Sequence, residues 1–131
     1  TPPPTVRLAV VGAHLTGQPL NSELTSRGAR LVAATTTAPA YRLYALATSP
    51  PKPGLVRVAE GGAPIEVEVW ELPAEGLGTL LADIPRPLGL GRLELADGQP
   101  LTGFLCAPEG LHTATDITDH GGWRAYLASR R

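Results

Sequence analysis

The chain is a succession of short strand-like segments punctuated by turn residues, with only a few brief helical patterns between them. Its 131 residues include 15 glycines and 14 prolines. Many strands and few helices, without regular βαβ alternation, point to an α+β domain with a mixed or antiparallel, curled sheet. The length suits one domain with a genuine core.

The first strand is expected over Val6 to Val11, an apolar run that stops at Gly12. Leu20 to Gly28 reads as a short helix, with Asn21 or Ser22 as its cap, Glu23 in the first turn and Gly28 as the left-handed stop. Strands are expected at Ala29 to Thr37, Tyr41 to Ala47, Leu55 to Ala59 and Ile65 to Leu72, the last two joined as a hairpin by Gly61-Gly62. Pro73 opens a second helix, with Leu77, Leu80, Leu81 and Ile84 at helical spacing and Pro85 as its end. Leu93 to Leu95 and Leu101 to Leu105 flank Asp97-Gly98, a strong hairpin signal. Trp123 to Ser129 closes the chain as a helix.

The stop at Gly12 is followed by His14 and then Gly17. A strand that ends at glycine can leave backbone N–H groups converging on one spot, which is how anions are held. Histidine is the side chain that exchanges a proton near neutral pH. These residues are thus a candidate anion pocket with its own acid; the competing account is a β-turn bearing a surface histidine.

Composition removes several classes. Net charge is −1 and the basic residues are scattered, with no clustered face for nucleic acid. No apolar stretch approaches the roughly 18 residues that span a bilayer, so no membrane partner is expected. The lone cysteine, Cys106, sits in the apolar run Phe104-Leu105-Cys106 and fits a reducing cytoplasm and a buried structural thiol. His14, His112 and His120 lie too far apart for a metal motif, and no metal site is expected. The chain has no methionine and opens on Thr1-Pro2-Pro3-Pro4-Thr5, the composition of a semi-rigid linker. Residues 1–5 therefore read as linker remnant and 6–131 as one domain of a longer polypeptide.

An ordered set of segments carries a resemblance. It comprises Val11-Gly12-Ala13-His14-Leu15, Pro19-Leu20-Asn21, Thr37-Ala38-Pro39 with Tyr41-Arg42-Leu43-Tyr44, and Pro51-Lys52-Pro53-Gly54-Leu55. Ile65 to Leu72, Gly103-Phe104-Leu105-Cys106, Asp116-Ile117-Thr118 and Gly121 to Leu127 follow in the same order. Together they resemble the C-terminal domain of allophanate hydrolase. The resemblance implies a γ-glutamylcyclotransferase-like fold, a small mixed β-barrel flanked by short helices. It implies removal of CO2 from N-carboxycarbamate during urea breakdown, no cofactor, and an amidase domain N-terminal to this one in the same polypeptide. In the cyclotransferases a Tyr-Gly-x-Leu loop holds the substrate's anionic end and a glutamate serves as acid–base. Here Val11 to Leu15 takes the loop's place without its tyrosine, and Ala82 to Gly89 takes the glutamate's place without a glutamate. No Ser-Ser-Lys amidase arrangement is present, and Lys52 is the only lysine.

The implied substrate is a small dianion with two carboxylates on one nitrogen, and that nitrogen must be protonated as the C–N bond breaks. Backbone N–H groups of Gly12, Ala13, His14 and Leu15 are candidates for one carboxylate, and His14 for the general acid. Lys52, between two prolines, is a candidate for the other carboxylate or else a surface lysine on a turn. Arg42 and Tyr44 share a strand face, where Tyr44 either reaches the barrel mouth or packs in the core. Glu66, Glu68 and Trp70 also share a face. Glu68 is the candidate interior carboxylate, orienting His14 or pairing with a cation, unless the strand lies at an edge in water. His112 and His120 read as solvated, and Asp116 as a turn residue. Three functions remain open: the decarboxylase, a non-catalytic scaffold or assembly module, and a γ-glutamyl cyclotransferase. A homo-oligomer is left open as well.

Overall fold

The structure, a computed structural model, describes residues 4–130. In chain order the strands are β1 (Thr5–Val10), β2 (Arg30–Thr36), β3 (Tyr41–Leu46), β4 (Lys52–Arg57), β5 (Glu66–Pro73), β6 (Leu88–Glu94), β7 (Pro100–Cys106) and β8 (Thr115–Asp116). Helices α1 (Asn21–Thr25), α2 (Ala74–Ala82) and α3 (Trp123–Ser129) are short, as the punctuation requires. The α+β expectation holds.

The strands form a five-stranded sheet, ordered β2-β5-β1-β7-β6, and a three-stranded one, β4-β3-β8. β1 lies in the middle of the larger sheet, antiparallel to β5 from Thr5↔Pro73 to Val10↔Glu68 and parallel to β7 at Leu8↔Thr102. Its last three residues, Leu8, Ala9 and Val10, are buried on both faces, which accounts for a continuous rather than alternating apolar run. The core also takes Leu43, Leu55, Ile65, Val67, Leu72, Leu93 and Trp123 from the surrounding elements.

The expected barrel is not a closed ring. The outer strands β2 and β6 meet just beyond their ends, at the Thr37↔Leu95 bridge, where Ala38 N–H donates to Glu94 O at 2.9 Å and Ala96 N–H to Thr36 O at 3.0 Å. Pro39 has no N–H with which to continue that ladder. Gly61-Gly62 does not join a hairpin either. β4 pairs with β3, whereas β5 crosses to β1 and β2. Gly62 instead passes against the backbone of Ala40 and Tyr41, closer than a β-carbon would permit. The Asp97-Gly98 hairpin does form, with β6 and β7 in register from Leu88↔Cys106 to Glu94↔Pro100 and Gly98 at φ +87°.

The terminal helix falls on the expected residues, and Gly28 follows α1 at φ +80°. The capping expectation fails: neither Asn21 nor Ser22 caps α1, and Leu20 occupies the cap position. Pro73 ends β5 and caps α2 rather than starting it. Of the residues read as a linker, 1–3 lie outside the described residues. Pro4 O accepts the Ala74 N–H at 3.0 Å, and Thr5 begins β1.

Tyr41 ties the two sheets together. It is fully buried in β3, and its hydroxyl accepts the Glu94 N–H of β6 at 2.9 Å. Tyr41→Phe leaves that amide without its acceptor and should lower stability by about 1–2 kcal/mol in urea unfolding, with an unchanged denaturant slope.

Candidate functional site

The loop after β1 is shaped by what crowds it. A β-carbon at Gly12 would collide with the ring of Pro53 at the start of β4, so the chain passes there only as glycine. Leu15 N–H then donates to Gly12 O at 2.9 Å, and Leu20 N–H to Ala13 O at 2.8 Å. Asn21, free of capping duty, sends its Nδ2 to His14 O at 2.8 Å. Thr16 donates both its N–H and its hydroxyl to Glu68 Oε1, at 2.8 and 3.0 Å. The N–H groups of Gly12, Ala13 and His14 find no acceptor among the described residues.

This loop forms one wall of a cavity of about 190 Å³. Val11, Leu20, Leu80, Ile84, Leu88 and Phe104 make the enclosure largely apolar, while His14, Glu23, Lys52 and Asp83 supply its charge. The His14 side chain is 14% exposed and lies parallel to Phe104, with ring centroids 5.2 Å apart. Its Nε2 is 3.0 Å from Glu23 Oε1, on the first turn of α1. Burial pushes the His14 pKa below the ordinary histidine value, and the neighbouring Glu23 carboxylate only partly offsets this. The balance of these effects favours the neutral ring.

The structure thus brings Gly12, Ala13, His14 and Lys52 to one cavity. Leu15 belongs to the loop but not to the cavity. It is fully buried in the core, and its N–H is already used by Gly12. Tyr44 lies on β3 between Gly54 of β4 and Asp116 of β8, outside the cavity wall. Glu68 is interior, 3% exposed, and pairs with a cation, Arg124, at 3.4 Å. It touches Thr16 rather than His14. Asp116 does serve its turn, accepting the Thr118 N–H at 2.9 Å.

Sequence reasoning did not single out Glu23, Asp83 or Phe104 for the site. Glu23 resembles any acidic residue in a first helical turn, and Phe104 any core aromatic. Asp83 lies where the resemblance placed the cyclotransferase glutamate, and Asp83, Ile84 and Pro85 do reach the cavity wall.

Residues 6–128 match the family described as Allophanate hydrolase C-terminal domain. The urea amidolyase of Saccharomyces cerevisiae is 42% identical over 131 residues, covering 96% of this chain but 7% of the yeast protein. The Kluyveromyces lactis allophanate hydrolase structure superposes with a TM-score of 0.93 at 39% identity, over 98% of this chain and 22% of that one. A γ-glutamyl cyclotransferase structure matches with a TM-score of 0.58 at 12% identity, over 79% of this chain and 68% of that one, a likeness of fold alone. With a cyclotransferase-like fold and a family match running through nearly all of its described residues, this chain belongs to the allophanate hydrolase C-terminal domain family.

Proposed function

We propose that this domain removes CO2 from N-carboxycarbamate, with His14 as general acid, beside an amidase domain of the same polypeptide. The observation that carries the reading is the placement of His14 on the cavity wall next to three N–H groups that have no acceptor among the described residues. Those amides, from Gly12, Ala13 and His14, suit one carboxylate, and Lys52, which lines the same cavity, suits the other. The apolar side chains of the walls lower the local dielectric and so strengthen both attractions.

In the reaction the C–N bond to the departing carboxylate breaks as CO2 leaves. Its electron pair stays on nitrogen, which takes the proton from His14, leaving carbamate; His14 regains a proton from solvent. Burial makes free His14 a poor holder of that proton, but a bound dianion reverses this by favouring the imidazolium. Glu23 holds the ring through Nε2 and adds to the same effect.

His14→Ala should slow CO2 release from freshly generated N-carboxycarbamate roughly 10²–10⁴-fold relative to the native chain, after subtraction of spontaneous decay. Unchanged release would instead favour the scaffold reading. The pH profile carries its own signature. Because the free-state pKa of His14 is lowered, kcat/KM should fall as pH rises through a midpoint below 6.5. The kcat midpoint, which reports the complex, should lie higher.

Glu23 and Asp83 beside the Gly12 loop are the specific observation behind a second reading, the γ-glutamyl cyclotransferase. Asp83→Asn separates the two. In the decarboxylase a carboxylate on the wall opposes a dianion, so its removal should leave kcat near native and lower KM. In a cyclotransferase using Asp83 as acid–base, the same change would abolish turnover of γ-glutamyl amines.

A further inference from the structure

The buried Glu68 carboxylate does not reach the cavity, yet it is the most heavily bonded side chain near the loop. Its Oε1 accepts the Thr16 N–H, the Thr16 hydroxyl and the Trp70 indole N–H, the last at 3.1 Å. Its Oε2 faces Arg124 of α3. Arg124 also donates from Nε to Glu66 Oε1 at 3.0 Å, and from Nη1 to Thr16 O at 3.1 Å. Thr16 is therefore held at its amide, its hydroxyl and its carbonyl. Only Leu15, fully buried, separates it from His14.

We propose that Arg124 is a positioning residue for His14, acting through Glu68 and the Thr16 end of the loop, so that the last helix is part of the site's framework. The proposal takes His14 as the acting side chain from the reading above. A loop with three amides lacking acceptors among the described residues gains by turning them toward water or a neighbouring carbonyl, unless the adjoining backbone is pinned. Asn21 pins the loop at His14 O, and the Arg124–Glu68 pair pins it two residues later at Thr16. The planar guanidinium spans two carboxylates and a carbonyl at once, which a single ammonium on a flexible stem does not reproduce. The Arg124 side chain is 34% exposed, so its pair with the partly exposed Glu66 contributes little to stability, whereas its contact with the buried Glu68 offsets a carboxylate held out of water. Beyond that compensation, its contact with Thr16 O bears on the placement of the loop.

The test reads His14 directly. The groups facing its ring are Glu23 and Phe104; Arg27 acts on it through its charge, and Lys52 and Asp83 line the same cavity. An NMR titration of the His14 ring would be recorded for the native chain, Arg124→Leu, Arg124→Lys and Glu68→Gln. Arg30→Gln, which breaks an exposed pair with Glu71 elsewhere, is the control. In Arg124→Leu the loop loosens and the His14 midpoint should rise toward the ordinary histidine value of about 6.5. Release of CO2 should fall about tenfold to a hundredfold through kcat. Arg124→Lys should restore neither quantity, and Arg30→Gln should leave both as in the native chain.

Should Arg124→Leu not fold, Glu68→Gln carries the test. Its amide oxygen still accepts from Thr16 and Trp70, while its NH2 group opposes Arg124. An unchanged His14 midpoint and turnover in a folded Arg124→Leu, or an unchanged midpoint in Glu68→Gln, overturns the proposal. If His14→Ala leaves CO2 release intact, the decarboxylase reading fails on its own, while the titration still decides whether Arg124 positions the ring.

Discussion

Burying a carboxylate costs several kcal/mol unless nearly every lone pair is taken, and much of this domain is arranged around meeting that condition for Glu68. The residue lies on β5 directly opposite Val10, where β1 runs out. Its oxygens collect donors from the loop after β1, from Trp70 on its own strand and from Arg124 on the last helix. Three regions far apart in sequence are thereby held to one point. Remove either partner and the other remains as an uncompensated charge or a set of idle donors, which is why the arrangement resists piecemeal change.

The cavity follows from that anchoring together with a second constraint, the approach of Pro53 to Gly12. The proline ring closes one side of the loop and Phe104 backs the histidine. Three backbone amides are left with no acceptor among the described residues. Charge within the walls is mixed. Lys52 and a protonated His14 attract anions, whereas Glu23 and Asp83 oppose them. Glu23 is committed to His14, so its negative charge is partly spent on making the ring a better base. Asp83 has no such partner among the described residues, which makes it the group on which the two chemical readings diverge.

Local patterns were read well where the local signal matched the tertiary outcome. The buried run of β1, the Asp97-Gly98 hairpin, the left-handed Gly28 and the helix at Trp123 all express backbone preferences or burial that neighbours do not overrule. Expectations failed where a longer-range partner competed. Asn21 has the chemistry of a cap but serves His14 O instead. Gly61-Gly62 has the composition of a hairpin turn, yet β5 pairs with β1 and β2 while β4 pairs with β3. At the site, Gly12, Ala13 and His14 were legible because a strand, a glycine and a histidine are contiguous. Glu23 and Asp83 were not, since nothing in their own neighbourhoods distinguishes them from ordinary helix-end acids.

By itself, the sequence determined the α+β class, the short elements and the existence of a glycine loop bearing a histidine. Those properties depend on residues within a few positions of one another. Tertiary structure decided which carboxylate meets the imidazole, which amides remain without acceptors, and that a buried glutamate serves the loop rather than the ring. Each of these depends on strand register and on a helix that closes the chain more than a hundred residues after the loop it holds, as the Arg124–Thr16 contact shows. Hydrogen bonding and burial at that separation are set only when the sheet has assembled.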